Sequence, residues 1–211
     1  MNAPDKTMQQ AARPADVLTM LKQGNERFQR GESEATGLLD QVAATKGGQS
    51  PWAAVLGCID SRVPIEYVFD QTIGGLFCAR LAGNVVNGDV LGSIEYACAV
   101  AGSRLVLVLG HSSCGAVMGA CDGVELGHVT GLLERIKPAV DSAAPDVASD
   151  ERNSSNAAFV ESVVERNVHL GVEEIRSRST VLRELEESGE IAIVGAVYDI
   201  ATGAVTFYDE V

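Results

Sequence analysis

The sequence predicts an α/β fold: a mostly parallel central β-sheet flanked by helices, with an N-terminal helical arm and a C-terminal β-hairpin. Three observations carry this expectation. Short, wholly apolar runs alternate with segments of helical period. Those runs lack the in-out alternation of a half-exposed strand and suit strands buried on both faces, as parallel sheets require. Each closes on glycine or a small polar loop, and strand–helix alternation implies right-handed crossovers.

In chain order, residues 1–14 are polar and Ala-rich up to Pro14 and read as a loose arm. Asp16 is placed to cap a helix carrying Val17, Leu18, Leu21 and Phe28, which stops near Gly31. So isolated an amphipathic helix needs something to pack on, and a partner subunit is one candidate. A polar stretch from Gly31 to Ser50 follows. Trp52 to Leu56 is a buried strand ending at Gly57-Cys58, and Leu76-Phe77-Cys78-Ala79 is a second. Asn87 caps a helix through Val100 that places Leu91, Ile94, Ala97 and Cys98 at helical spacing. Leu105 to Leu109 is the clearest buried strand and closes at Gly110-His111, with small residues from Cys114 to Ala120 opening the next helix. Val160, Val163, Val164, Val168, Val172 and Ile175 form one core-facing stripe. Gly171 within it costs about 1 kcal/mol against Ala, so close helix packing is expected there. Ile191 to Ile200 and Ala204 to Tyr208 flank Ala201-Thr202-Gly203 as a terminal hairpin. The expected organisation is one domain over residues 1–211, with an arm and helix over 1–31 and an α/β core over 51–211.

Composition excludes several function classes. The 211 residues are enough for one domain with a sizeable core. Sixteen basic against 29 acidic residues leave a net charge of −13, and no basic cluster appears, which argues against nucleic acid as a partner. Acid gathers between residues 141 and 190, on what read as solvated helices away from the residues singled out below. No apolar run approaches the ~18–20 residues of a membrane span. The start, Met1-Asn2-Ala3-Pro4-Asp5-Lys6, has no apolar stretch behind it of the kind a secretory signal needs, so a cytoplasmic location is expected. Five cysteines, an odd number, do not read as a disulfide framework. For most of them the ordinary reading is a small buried apolar side chain.

Cys58 and Cys114 have neighbours that change that reading. The first constellation is Cys58-Ile59-Asp60-Ser61-Arg62, and the second is His111-Ser112-Ser113-Cys114. Each follows a buried strand, and open parallel sheets bind ligands beyond the carboxyl ends of their strands. Two thiolates and an imidazole are the ligands zinc favours. Structural zinc sites recruit four such residues; three leave the fourth position to water or to Asp60, as catalytic sites do. The plainer reading is two core cysteines and a turn histidine. It would hold for a lone H-x-x-C, but not beside C-x-D-x-R after a buried strand. Asp60 and Arg62, two apart, project to the same side of an extended loop. A carboxylate held in a guanidinium fork stays ionised. Asp60 is then placed either to accept a hydrogen bond from zinc-bound hydroxide or to bind zinc itself.

C-x-D-S-R followed by H-x-x-C-G resembles the signature of β-class carbonic anhydrases. The likeness continues through Ala79-Arg80-Leu81-Ala82-Gly83-Asn84, Ser93-Ile94-Glu95-Tyr96-Ala97 and Gly110 to Val117. It includes Asn167-Val168 and Val197-Tyr198-Asp199 through Thr202-Gly203, covering residues 15–211. The resemblance implies a zinc enzyme that reversibly hydrates carbon dioxide to bicarbonate and a proton. It maps one Zn2+ per subunit to Cys58, His111 and Cys114, and the catalytic dyad to Asp60 and Arg62. Gln49 resembles the family glutamine whose amide donates to substrate oxygen. Phe77 and Tyr96 resemble pocket residues that the family often supplies across a dimer interface. In members with a bicarbonate-inhibited, aspartate-closed site, a Trp lies three residues before the first ligand cysteine. Here that position is Val55, which with Gln49 resembles the open-site subtype, although Arg80 and Tyr198 look like the rest of the inhibitory pocket.

The family also implies a homo-oligomer, dimer or tetramer. His128 and His169 carry no motif and read as surface or structural residues, and Cys78, Cys98 and Cys121 as bystanders. Two enzymatic alternatives keep the same zinc site and hydrolyse carbonyl sulfide or carbon disulfide. A catalytically silent zinc-binding regulatory protein would be expected to lack part of the dyad or the glutamine. A redox sensor built on Cys58 and Cys114 would leave His111 unexplained.

Overall fold

The computed structural model describes residues 3–208. Residues 6–11, expected to be loose, form helix α1 (Lys6–Ala11), capped by the Asp5 carboxylate on Met8 N–H. Its buried Gln9 donates to Pro51 O at 2.8 Å, tying it to the core. Helix α2 (Pro14–Arg30) starts earlier than Asp16. Pro14 takes the first helical position, where its missing N–H costs nothing, and Asp16 reaches back to Arg13 N–H. Gly31 ends the helix at φ 68°, a left-handed cap that glycine takes without strain. Helix α3 (Leu38–Thr45) occupies part of the stretch expected to be merely polar.

The core follows as β1 (Ala53–Gly57), α4 (Ile65–Val68), β2 (Leu76–Arg80), α5 (Gly88–Glu95) running into a π-turn at Tyr96–Val100, and β3 (Leu105–His111). Helices α6 (Gly115–Cys121), α7 (Gly127–Leu133) and α8 (Lys137–Ser142) lead to the long α9 (Ala157–Arg178) and to α10 (Thr180–Glu187). Strands β4 (Ala192–Tyr198) and β5 (Val205–Phe207) close the chain as the expected antiparallel hairpin. The sheet order is β2-β1-β3-β4-β5, parallel through β4. The fold is therefore α/β, as the alternation predicted.

Alternate residues of the strands feed two cores. Val55, Leu105, Leu107, Leu109, Val194 and Ala196 face α2 and α4; Ala54, Leu56, Val106, Val108 and Ile193 face α5, α9 and α10. Helix α2, for which the sequence offered a partner subunit as one candidate neighbour, finds packing within this chain. Val17, Leu18 and Leu21 are buried against this chain's own sheet. At Gly24 a Cβ would lie 1.9 Å from Phe69 O, so only glycine lets the helix approach so closely. Gly171 of α9 likewise faces Val108, 3.2 Å from a would-be Cβ, the close packing expected there. No helix among the described residues is long and apolar enough to cross a membrane.

Candidate metal centre

Chain order reverses between β1 and β3: the chain leaves β1 for the edge strand β2 and returns to β3 on the other side of β1. Such a switch point opens a crevice at the carboxyl ends of the two strands. Gly57 pairs with Leu109, so Cys58 leaves β1 beside the end of β3, which is His111 itself. Cys114 is the N-cap of α6. The three side chains are buried, and their ligand atoms all lie within 4.8 Å of one another.

The two Sγ atoms are 4.0 Å apart. That is far beyond a disulfide bond of about 2.05 Å. It is close to the ~3.8 Å edge of a tetrahedron whose Zn–S bonds are about 2.3 Å. His111 Nδ1 bonds to Ser112 O at 3.0 Å, so Nδ1 carries the proton and Nε2 the lone pair. Buried Nε2 has no hydrogen-bond partner. An orphaned buried acceptor costs about 1–3 kcal/mol, and a cation between it and the thiols removes that cost. These residues fit zinc.

Electrostatics point the same way. The Cys58 thiol is drawn well below its ordinary value, chiefly by the Cys114 thiol beside it. Burial opposes this, and His111 with the N–H groups of Asp60 (3.4 Å) and Gly83 (3.3 Å) assists. Cys114 is pushed up, first by its bond to Cys58 and then by burial. The pair shares one proton, and a cation is what displaces it.

Asp60 and Arg62 meet, but through an Asx-type turn instead of an extended run. Oδ1 accepts from Arg62 N and Nε, both at 2.9 Å, and Oδ2 from Nη2 at 2.7 Å. The Arg62 guanidinium holds the Asp60 carboxyl far below the usual carboxylate range despite partial burial. Oδ2 lies 3.9 Å from His111 Nε2, so the carboxylate faces the cluster.

Arg80, read in the sequence only as resembling part of an inhibitory pocket, bonds both loop carbonyls: Nε to Cys58 O at 2.9 Å and Nη2 to Asp60 O at 2.7 Å. Its position closing β2, next to β1, was the available signal. The Gly83 N–H had none, because backbone donors leave no mark in a sequence, and the bond of Ser112 Oγ to Asp199 joins side chains 87 residues apart.

The other residues expected at the site lie elsewhere on the chain. Phe77 pairs with Ala54, four residues and so about 13 Å before Cys58 at ~3.3 Å per residue. It meets Tyr96 edge-on, ring centroids 6.2 Å apart, beside a cleft of roughly 630 Å³. Gln49 is exposed before β1, next to Gly74, at the opposite end of that strand from Cys58. All three lie along the β2 side of the sheet, and one chain does not bring them to the cluster. Cys98 is core, Cys78 lies within β2 and packs against the α2–α4 core, and Cys121 lines a separate cleft with Leu133. His128 is exposed on α7, and His169 meets the Tyr208 ring at a tilt of 42°, centroids 4.8 Å apart.

Comparison with known proteins identifies the family and the fold. Residues 53–205 match the family model described as carbonic anhydrase. Carbonic anhydrase 2 of Mycobacterium tuberculosis strain H37Rv is 37% identical over 199 residues, 94% of each chain. The solved structure of the β-carbonic anhydrase CcaA superposes with a TM-score of 0.72 at 23% identity, over 91% of this chain and 95% of that one. One of two tetrameric β-carbonic anhydrases from Sordaria macrospora superposes at 0.67 and 23%, over 88% and 90%. With its fold, its Cys-His-Cys cluster and these relatives in agreement, the chain belongs to the β-class carbonic anhydrase family.

Proposed function

We propose that this protein reversibly hydrates carbon dioxide to bicarbonate and a proton, using one zinc ion per subunit held by Cys58, His111 and Cys114. The observation that carries the reading is the buried, unpartnered Nε2 of His111, facing two thiols beside a carboxylate. When bound, zinc supplies the Lewis acidity that makes water a nucleophile at neutral pH.

The chain's own residues do the rest. Two N–H donors steady Cys58 as a thiolate, and Arg80 pins the loop that carries it. Arg62 takes three of the roughly four lone-pair positions of Asp60. One acceptor direction remains toward the cluster, where it orients the attacking water. A carboxylate so committed to Arg62 would be a poor fourth ligand to a bound zinc, which supports the reading in which water would complete the site, as does Val55 in place of Trp.

Gln49, Phe77 and Tyr96 enter this reading as substrate-pocket residues supplied by a second copy. Strand β2 is an open edge. Tyr96, at 55% exposure, flanks it, and Leu38, Tyr67 and Ile73 line a second apolar cleft at its start. Paired copies, as a dimer or as two dimers in a tetramer, cover those faces. Five unpaired cysteines fit a reducing, cytoplasmic setting.

Stopped-flow hydration of carbon dioxide, followed with a pH indicator on protein of measured zinc content, tests the proposal. Stoichiometric zinc without acceleration over buffer would sink it. Turnover of carbonyl sulfide and carbon disulfide on the same preparation separates the heteroallene hydrolases.

A further inference from the structure

Ser112 directly follows the ligand His111, and its polar groups go to one place. Its N–H donates to Tyr198 O at 2.9 Å. Its hydroxyl donates to Asp199 Oδ1 at 3.2 Å and accepts from Ile200 N at 3.0 Å. Tyr198, Asp199 and Ile200 are the consecutive residues by which β4 enters the turn to β5. With its N–H and hydroxyl committed, the Ser112 carbonyl turns back to His111 Nδ1. Ser113 then takes a left-handed backbone at φ 54°, which a non-glycine residue keeps only when its surroundings determine it.

The turn is itself held. Asp199 Oδ1 accepts from Ala201 N at 2.8 Å and Oδ2 from Thr202 Oγ1 at 2.8 Å. Behind it, Asn25 of α2 donates to Gly203 O at 2.8 Å and accepts from Val205 N at 2.9 Å. A continuous set of hydrogen bonds thus runs from α2 through the hairpin turn to the imidazole.

We propose that Ser112 and Asp199 are positioning residues for the metal: the hairpin turn clamps the Ser112 backbone so that its carbonyl accepts a hydrogen bond from Nδ1–H and leaves Nε2 as the ligand atom. The nitrogen that carries the proton is set by the bond the other makes. Freed from the clamp, the Ser112 carbonyl rotates away. The ring is then no longer confined to the tautomer and pose that aim a lone pair at the thiols. The inference rests on the zinc reading above.

The test is zinc affinity of the full-length protein, by chelator competition at a temperature where every variant is folded. It is paired with the visible spectrum of the cobalt(II)-loaded protein and thermal unfolding without metal. Ser112→Ala and Asp199→Ala should lower zinc affinity on the order of 10–100-fold, the usual effect of losing a ligand's outer partner, and should alter the cobalt bands. Ser112→Thr, which keeps the hydroxyl, should stay within about threefold of the parent. A loss below threefold in both alanine variants, with unchanged cobalt bands, would overturn the proposal, whatever happens to the melting temperature. If Ser112→Ala fails to fold, Asp199→Ala decides on the same criteria. A parent protein that binds no zinc would overturn both this inference and the reading beneath it.

Discussion

Asp70 offers the sharpest test of how the N-terminal segment is held. It follows α4, is 1% exposed, and sits at φ 47°, a left-handed backbone that Asp tolerates better than most residues. Its carboxylate accepts from Arg27 Nε of α2 and Ser33 Oγ, both at 2.6 Å, and from the N–H groups of Glu34 and Ala35 at 3.1 Å. Arg27 is itself only 15% exposed. Removing Asp70 leaves Arg27 with the exposed Glu34 carboxylate at 3.9 Å in place of a buried partner, and breaking such a buried pair costs about 3–5 kcal/mol. At about 2–4 °C per kcal/mol for a chain of this length, Asp70→Ala should therefore lower the melting temperature by roughly 6–20 °C. Adding Arg27→Met to Asp70→Ala removes the guanidinium as well, and the double variant should recover more than about 1 kcal/mol of the summed losses. The pH dependence has a definite sign. Burial alone would push the Asp70 carboxyl up, but Ser33, Arg27 and the two N–H groups bring it below its ordinary value. The stabilisation is then complete above the unfolded value near 3.9 and fades as pH falls below it. Denaturation of the parent and Asp70→Asn, at one protein concentration from pH 3 to 8, should show a constant gap above about pH 5 that closes below about pH 4. A loss under about 1 kcal/mol for Asp70→Ala, or strict additivity with Arg27→Met, would refute the reasoning.

Other expectations concern the site and its surroundings. Asp60→Asn should retain zinc yet lose on the order of 10²-fold in kcat, read by stopped-flow beside metal analysis. Arg62→Lys keeps the charge but not the fork, so it should lose activity in the same direction and keep its zinc. Cys58→Ser and His111→Ala should each lose both zinc and activity, and a strong chelator should do the same reversibly to the parent protein. Tyr96→Arg on the open β2 side should shift the protein toward monomer in light scattering; an unchanged mass would move the interface elsewhere.

Strand positions were legible because burial on both faces leaves an unmistakable wholly apolar run, as in Leu105 to Leu109. The Cys58, His111 and Cys114 cluster was legible because its members follow two such runs, and few residue types bind zinc. Helix α1 was missed because six residues carry little periodicity, and its anchor is a single Gln9 amide. Helix α2 was found but its neighbour was not: amphipathicity reports that a face is buried, not against what. The Asp60–Arg62 pair was expected, although a turn and not a strand-like spacing brings it together.

The sequence alone determined the chemistry: two thiols, an imidazole and a fork-held carboxylate at the ends of buried strands, together with the order of strands and helices. Only the tertiary structure decided which groups act on one another. The reversal of strand order between β1 and β3 brings Cys58, His111 and Cys114 within 4.8 Å. The β4–β5 turn reaches Ser112 from nearly ninety residues away. Gln49, Phe77 and Tyr96 are left outside one chain's site by the register of β1 and β2. The reason is physical. Side-chain chemistry is a property of each residue and can be read one at a time. Hydrogen bonds to backbone groups and the register of paired strands exist only once distant segments have met.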